Sequence, residues 1–323
     1  MRRLCLILFP ALVFILAVGG RTYSVHAAQP VIGATKTAIL FWLADELGYI
    51  ESAGFEARMY QSGTLTTRDL VEGKIQFATG SHVSFVANAL KSPDLRIVST
   101  LSTSRTAKLV GRRDQVDQSV ASLAGKKVGI TRSSIGEYFL ASFLALNGMR
   151  LSDLNIVDLK PGDIVTGLAN GDLAAGLTWE PYVYQAREAL GNLALGYPGQ
   201  EGQYYYFLLV GRDDWLSGNS AKTAELMRAL LKAEAFAQSN PDEAKKMITK
   251  KYGLDPAFVD YLWPEHSLTV ELPQDLVRLM EEAVVWRAEA QGGTPDGGLP
   301  NMLGFLHSAP LRSVSPEAVG VFE

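Results

Sequence analysis

Hydroxyl and cationic side chains lie at predicted strand-to-helix junctions in two separate parts of the chain. Arg132, Ser133 and Ser134 precede one helical pattern, and Lys36 occupies the matching point of an earlier unit. A helix N-terminus presents free backbone N–H groups and the positive end of the helix dipole, and a neighbouring Arg suits a carboxylate, sulfonate or phosphate. Thr64 begins another predicted helix of the earlier unit and offers the same groups. These five residues predict a site for a small anion.

Aromatic and acidic side chains follow two other predicted strands. Trp179, Glu180 and Tyr182 come after a strand of the later unit, and Ser81 and His82 occupy the matching point of the earlier one. The aromatic rings would supply an apolar wall. The Glu180 carboxylate could accept a hydrogen bond from an amine or from a pyrimidine amino group. We therefore expect a ligand-binding site to which both units contribute.

Two further aromatic residues are candidates for the same site. Trp42 lies on the first predicted helix, and we favour it as a wall residue over its neighbour Phe41. Tyr205 lies in a run of three tyrosines that opens a later strand, from which one face could reach the ligand.

The sequence carries no recognisable catalytic or metal-binding motif. It contains no G-x-S-x-G elbow, no P-loop, no G-x-G-x-x-G after a strand and no H-E-x-x-H. Its four histidines are not spaced as ligand pairs. We expect a binding protein that uses neither a metal nor a cofactor and is not an enzyme.

The elements that must position these residues repeat along the chain. Residues 32–36 are echoed by residues 128–132, each an apolar run followed by a threonine and a cation. A helix end, a glycine and a new apolar run at 70–75 are echoed at 168–173. Two similar βαβ units predict two lobes with a cleft between them. Ligands of such sheets bind beyond the carboxyl ends of the strands.

The predicted organisation has a leader and two lobes. Residues 29–116 together with 205–323 form lobe I, and residues 117–204 form lobe II. Strands that begin at Ala107 and Tyr204 serve as the two crossover segments. Thr64 and Asp163 are expected to cap the helices that end near Glu72 and Asn170, and from Ala221 onward the pattern is helical.

Residues 1–28 are typical of a secretory signal peptide. Two arginines precede an apolar run from Leu4 to Val18, and Ala27 and Ala28 provide a small-residue cleavage site. An uncleaved N-terminal anchor is the alternative. Cys5, the one cysteine, lies in this segment, so the exported part lacks disulfides and fits a bacterial periplasm.

The charge balance excludes two classes of partner. The formal net charge is −4, and removal of residues 1–28 takes away arginines but no acidic residue. A surface for nucleic acid or for an anionic membrane requires a basic excess. A small molecule is the expected partner.

Four motifs, in order, resemble those of a known family. They are Leu47-Gly48-Tyr49 with Gly54-Phe55, Leu123–Gly129 with Ser133–Leu140, Leu168–Asp172, and Thr178–Tyr182. They are similar to stretches such as "DLKGKKVGV" and "WEPY" in ABC-importer substrate-binding proteins of the nitrate/sulfonate/taurine type, which are related to the thiamine-pyrimidine synthases. Two departures exist: Ala174-Ala175-Gly176 replaces an acidic-Ala pair, and Thr37-Ala38 stands where an aromatic residue is common.

The resemblance implies an α/β fold of the type II periplasmic-binding-protein class. Each lobe would be a mainly parallel sheet flanked by helices, with the ligand cleft between the lobes. The protein would be a monomer that delivers a small, anionic organic ligand to an ABC permease in the inner membrane. Uptake of a thiamine-precursor pyrimidine and presentation of a ligand to a membrane sensor are the alternatives. The cysteine-rich motif of the related synthases has no counterpart in the sequence.

Overall fold

The computed structural model describes residues 29–197, 199–200, 203–290, 293 and 298–321, without the side chains of Thr64 and Ala290. The predicted signal peptide at 1–28 lies outside these residues. No helix of the described part is both long and apolar enough to cross a membrane.

Eleven strands are formed by the described residues. They are β1 (Val31–Thr35), β2 (Glu56–Tyr60), β3 (Phe77–Ser81), β4 (Leu95–Ser104), β5 (Ala107–Arg112), β6 (Lys127–Ile130), β7 (Asn155–Asp158), β8 (Ala175–Trp179), β9 (Ala194–Tyr197), β10 (Tyr205–Arg212) and β11 (His266–Ser267).

Thirteen α-helices accompany them in the described residues. They are α1 (Ile39–Glu46), α2 (Tyr49–Ser52), α3 (Gly63–Val71), α4 (His82–Ala89), α5 (Ile135–Leu146), α6 (Pro161–Asn170), α7 (Tyr182–Leu190), α8 (Asp213–Gly218), α9 (Ser220–Ser239), α10 (Pro241–Tyr252), α11 (Pro256–Leu262), α12 (Gln274–Ala290) and α13 (Ala309–Arg312).

The strands form two sheets with the same arrangement. The first has the order β11-β4-β10-β3-β1-β2 and the second the order β9-β5-β8-β6-β7. In the first sheet β1 pairs in parallel with β2 and β3, and in the second β6 pairs in parallel with β7 and β8. The two predicted βαβ units therefore fold alike. This arrangement belongs to the periplasmic-binding-protein fold.

Each sheet is mixed, whereas the sequence predicted sheets that are mainly parallel. Strand β10 pairs antiparallel with β3 and β4, and β5 pairs antiparallel with β8 and β9. The difference has a topological cause, because β5 and β10 enter their sheets directly from the other sheet. They do not follow a crossover helix, which is the connection that aligns strands in parallel.

Two glycines explain why the repeat is visible in the sequence. Gly33 in β1 and Gly129 in β6 occupy matching positions in the two units. A Cβ atom at Gly33 would lie 2.6 Å from the Ile75 side chain, and one at Gly129 would lie 2.7 Å from the Leu173 side chain. The residue that leads into the third strand of each unit packs directly on the first strand, which leaves no room for a larger side chain.

The chain passes between the sheets twice, at residues 105–106 and between β9 and β10. Gln200 joins the two passages. Its Oε1 accepts a hydrogen bond from the Ala107 N–H at 2.8 Å, and its Nε2 donates to the Ser104 carbonyl at 2.8 Å. The predicted boundary after residue 116 differs from the sheet pairing, because β5 belongs to the second sheet. A division that follows the sheets would begin lobe II near Ala107, and the division itself stays a proposal.

Two helices begin differently from the prediction. The side chain that caps α3 is Ser62, whose Oγ accepts a hydrogen bond from the Leu65 N–H at 3.4 Å, so Thr64 is not the cap. Helix α6 begins at Pro161, and Asp163 lies inside its first turn instead of capping it. Proline suits the first helical position because its missing N–H would have no intrahelical partner there.

Candidate functional site

A cavity opens beyond the carboxyl ends of β1 and β8, one strand from each sheet. Lys36 and Thr37 follow β1, Glu180 and Pro181 follow β8, and Thr106 belongs to the passage between the sheets. The cavity holds about 610 Å³ of free space, counting the part open to solvent. Of the predicted site residues, the structure brings Lys36 and Glu180 together on its wall.

Most of the remaining wall is apolar and comes from the helical C-terminal region. Helices α10 and α11, Leu254 between them and the 3₁₀ turn that follows at Trp263–Glu265 supply it. These wall residues are Ile248, Tyr252, Leu254, Phe258, Val259, Leu262 and Trp263. None was predicted as a site residue, because apolar residues at helical spacing are equally typical of an ordinary core face.

Glu180 is the most unusual polar group of the cavity. The residue is 4% exposed, and its Oε2 accepts a hydrogen bond from the Tyr184 N–H at 2.9 Å. Its Oε1 has no hydrogen-bond partner among the described residues. Burial raises the pKa of the Glu180 carboxyl to about 7, since an ionised carboxylate loses its hydration there.

Two cations that interact electrostatically with Glu180 have other partners. Lys108 lies 3.7 Å from the Glu265 carboxylate, measured from Nζ to Oε2. The Arg187 guanidinium donates a hydrogen bond of 3.3 Å to the Tyr261 hydroxyl. Both cations lower the pKa of Glu180, but by less than burial raises it. No ion pair to Glu180 is formed within the described residues.

His266 and Tyr252 add neutral polar groups to the cavity. His266 Nδ1 lies 2.6 Å from the Ser104 hydroxyl oxygen, and burial lowers the pKa of His266 to about 4. The Tyr252 hydroxyl is buried without a hydrogen-bond partner in the described part of the chain, and burial raises its pKa. Near neutral pH both side chains are uncharged.

Lys36 supplies a positive charge at the cavity. Its side chain is exposed, and it forms no ion pair with any residue that the structure describes. A cation beside an apolar cavity attracts the anionic end of an amphiphilic ligand.

The predicted anion site at the start of α5 is occupied by the protein's own carboxylate. Glu137 pairs with the Arg132 guanidinium, and its Oε2 accepts a hydrogen bond from the Ser133 N–H at 2.8 Å. Ser134 Oγ donates to the Thr131 carbonyl at 2.6 Å and accepts from the Gly136 N–H at 3.0 Å. The predicted donors are present, but Glu137 already engages Arg132 and the Ser133 N–H, and the Ser134 hydroxyl is bonded to its own backbone neighbours.

Trp42 is not a wall residue of the cavity. It is 3% exposed and packs edge-on against Phe41 and Tyr252. Its indole Nε1 donates to the Thr35 carbonyl at 2.8 Å. Trp42 therefore packs behind Tyr252, and the ring that lines the cavity is that of Tyr252.

Ser81 and His82 lie away from the main cavity, at the start of α4. Ser81 caps this helix through a hydrogen bond of 3.2 Å from the Ser84 N–H and borders a separate small pocket. His82 is fully buried, its Nδ1 accepts a hydrogen bond from the Tyr206 N–H at 3.2 Å, and its Nε2 has no partner in the described part. Burial lowers the pKa of His82 to about 4.

The predicted equivalence of His82 and Glu180 holds in the fold. Each residue directly follows the third strand of its unit, and each has one atom bonded to a backbone N–H and another without a partner in the described part. Only Glu180 lines the main cavity.

The other predicted residues lie near the cavity without lining it. Tyr205 is buried, and its hydroxyl is 2.8 Å from the hydroxyl of the lining residue Thr106. Trp179 ends β8 and Tyr182 begins α7, both partly exposed. The Thr64 side chain lies outside the described structure. No group of three His, Cys, Asp or Glu in the described part could hold a metal ion.

A family model and several known proteins match this chain. The model described as NMT1/THI5 like matches residues 36–244. A protein from Brucella abortus (strain 2308), provisionally named a binding protein, is 23% identical over 231 residues, 70% of each chain. A protein from Bacillus subtilis (strain 168), provisionally named an aliphatic sulfonates-binding protein, is 24% identical over 262 residues, 78% of each chain.

Solved structures with the same fold include a binding protein and an enzyme. The alkanesulfonate-binding protein from Xanthomonas axonopodis pv. citri, bound to MOPS, aligns with a TM-score of 0.74 at 19% identity, covering 88% of this chain and 99% of that one. The desulfurization enzyme DSZB aligns with a TM-score of 0.67 at 16% identity, covering 90% of this chain and 99% of that one. At these identities the likeness shows the fold alone.

Proposed function

The chain belongs to the NMT1/THI5 like family, and on that premise we propose that it is an exported solute-binding protein. It captures a small organic anion of the sulfonate class and delivers it to an ABC permease in the inner membrane. The ligand lies between the two sheets, which act as two lobes that close on it. Relatives named for aliphatic sulfonates support this ligand class.

The cavity at the carboxyl ends of β1 and β8 is the observation that carries the proposal. An alkyl or aryl body fits the wall supplied by Phe258, Leu262 and Trp263, because apolar surface gains by leaving water. A sulfonate group fits the Lys36 side, where an ammonium lacks an ion-pair partner in the described residues. The cavity thus combines one cationic end with a largely apolar wall.

Calorimetric titration with alkanesulfonates of increasing chain length tests the proposal. Lys36→Gln is expected to weaken binding by about 1.5–3 kcal/mol, the scale of a hydrogen bond to a charged group. Arg132→Gln is expected to leave the affinity nearly unchanged, because Glu137 already holds that guanidinium. Lys91→Gln, an exposed lysine away from the cavity, is the matched control.

Two results would contradict this assignment. A large loss in Arg132→Gln with none in Lys36→Gln would place the anion at the start of α5, as the sequence predicts. Absence of binding for every sulfonate would remove the ligand class.

Binding of an amine or an aminopyrimidine is the second candidate function. It is favoured by the Oε1 of Glu180, which is buried in the cavity and has no partner among the described residues, since an ionised carboxylate accepts N–H donors strongly. A thiamine-precursor pyrimidine would be a ligand of this kind. Its affinity would rise with pH as Glu180 ionises, which is opposite to the expectation for an anion.

We propose binding without turnover and export to the periplasm. Incubation of the protein with bound sulfonate should return the ligand unchanged by mass spectrometry, and release of sulfite would contradict the first proposal. The intact mass of the protein released by osmotic shock should correspond to a chain that begins near Gln29. Retention of Met1 on membrane-bound protein would favour an anchor.

A further inference from the structure

Glu180 lies where a carboxylate ion is poorly stabilised and a neutral carboxyl group is well placed. Its Oε2 is held by the Tyr184 N–H, which fixes the direction of the other oxygen. That Oε1 is buried on the cavity wall without a partner in the described part of the chain. A buried polar atom with no partner is costly unless a ligand or a proton satisfies it.

The charged and titratable groups around Glu180 come from several elements. Arg187 lies on α7, the helix that follows Glu180, Lys108 lies on β5, and Glu265 lies in the 3₁₀ turn after α11. Lys36 reaches the cavity from the end of β1, and His266, neutral above a pKa of about 4, reaches it from β11. Arg187 and Lys108 stabilise an ionised Glu180 only in part, because each contacts another side chain and neither forms an ion pair with Glu180 in the described residues.

A sulfonate in this cavity would make ionisation of Glu180 less favourable still. Two like charges in an apolar space repel each other strongly, and the proton is then retained by the weaker acid, which is the carboxyl group. A protonated carboxyl also becomes a hydrogen-bond donor, whereas a carboxylate can only accept.

We propose that Glu180 binds the anionic ligand as a neutral carboxyl group that donates a hydrogen bond from Oε1 to an oxygen of the ligand, so that binding takes up a proton wherever Glu180 is ionised in the free protein. This inference rests on the proposed function and adds the source of its selectivity. Lys36 attracts the anion, and Glu180 selects ligands with an acceptor oxygen at the fixed position. Ligand release is favoured where the pH rises above neutrality.

The test is the pH dependence of octanesulfonate affinity, since this ligand stays ionised throughout. Calorimetry between about pH 5.5 and about pH 8.5 should show a nearly constant affinity on the acid side. Because the pKa of Glu180 is about 7, the affinity should then fall by about thirtyfold between pH 6 and pH 8.5. Titrations in buffers with different ionisation heats should show net proton uptake near pH 7.5.

The variants separate a proton donor from a merely structural carboxyl. Glu180→Gln keeps an N–H donor, so it should bind with nearly the acid-side affinity of the wild type and lose the pH dependence. Glu180→Ala should bind at least tenfold more weakly and also lose it. Glu243→Gln removes an exposed carboxylate of α10 and should keep the wild-type profile.

Each contrary result has a distinct meaning. A flat wild-type profile, or a pH dependence that survives in Glu180→Gln, overturns the inference and leaves the sulfonate function intact. Affinity that rises with pH overturns it in favour of an amine-bearing ligand. If no sulfonate binds at any pH, the proposed function fails and the inference fails with it.

Discussion

At the scale of single residues, burial of Glu180 links the stability of the free protein to pH. In the unfolded chain this carboxyl titrates near its ordinary pKa of 4.5, whereas in the folded chain it titrates near 7. Between these two values the folded state holds a proton that the unfolded state has lost. The free energy of unfolding contributed by Glu180 therefore decreases as the pH rises through this window and is constant above it.

Glu180→Gln should remove this pH dependence. Relative to the variant, the wild type should lose up to about 3 kcal/mol of stability between about pH 4.5 and about pH 7, since one pKa unit corresponds to about 1.4 kcal/mol. Urea unfolding of both proteins across this range measures the difference. Parallel stability curves would show that Glu180 ionises in the folded protein as it does in water.

Sequence patterns identified only some of the residues that line the cavity, and the reason is physical. Lys36 and Glu180 were predicted because they follow strands whose carboxyl ends meet at the cleft, and backbone topology alone fixes that. Trp42 was assigned to the wall, but it is buried in the core. A large ring on the first helix suits either environment. The same apolar periodicity describes both environments, so only the packed structure separates them.

The site at the start of α5 illustrates a second limit. Its hydroxyls, its free N–H groups and Arg132 are all visible in the sequence, and they predict an anion. Glu137 is visible too, but its return to the start of its own helix depends on the backbone at Ser133, which has a positive φ of 56°. Sequence spacing does not fix such a local geometry.

At the scale of elements, helices α10 and α11 determine the apolar side of the cavity. Helix α11 also reaches the opposite side of the cleft, where the Phe258 ring lies 4.8 Å from the Tyr184 ring of α7, centroid to centroid. The sequence predicted a helical pattern from Ala221 onward, which includes both helices. It could not predict that their apolar faces meet a cavity, because that depends on contacts with both sheets.

Phe258→Ala should reduce the dependence of affinity on ligand length. Each methylene group buried against the wall contributes up to about 0.8 kcal/mol, and the enlarged cavity of the variant would pack a chain less closely. Calorimetry with butanesulfonate, hexanesulfonate and octanesulfonate gives this slope. Tyr261→Ala is the control, because Tyr261 lies on the same helix, is 40% exposed and does not line the cavity.

Equal slopes in all three proteins would mean that the ligand's apolar part lies elsewhere. A slope reduced as much in Tyr261→Ala as in Phe258→Ala would indicate a general loosening of α11. Only a selective loss in Phe258→Ala supports direct contact with the ligand.

At the scale of the whole molecule, two sheets of like order are joined by two passages of chain. The repeat in the sequence was sufficient to predict this duplication, because close packing at Gly33 and Gly129 constrains both copies in the same way. The exact residues of the passages were not predictable. These residues depend on the long-range pairing of β5 and β10. Extended, apolar segments of this kind could pair with strands of either sheet.

Ligand binding should bring the two lobes together as rigid bodies, with a smaller radius of gyration by small-angle scattering. Contacts between α7 and α11 already span the cleft, through Tyr184 against Phe258 and through the hydrogen bond from Arg187 to Tyr261.

Tyr184→Ala weakens the first contact without altering a residue that lines the cavity. The variant should therefore have a larger radius than the wild type without ligand, and the same radius when saturated with octanesulfonate. Because part of the binding energy must then close the lobes, its affinity should fall in proportion to the decrease in the closed fraction of the free protein. Closure would be contradicted if the radius of the wild type did not change on binding, with binding confirmed by calorimetry. If Tyr184→Ala lost affinity without any change in the radius of the free protein, Tyr184 would be assigned to ligand contact instead.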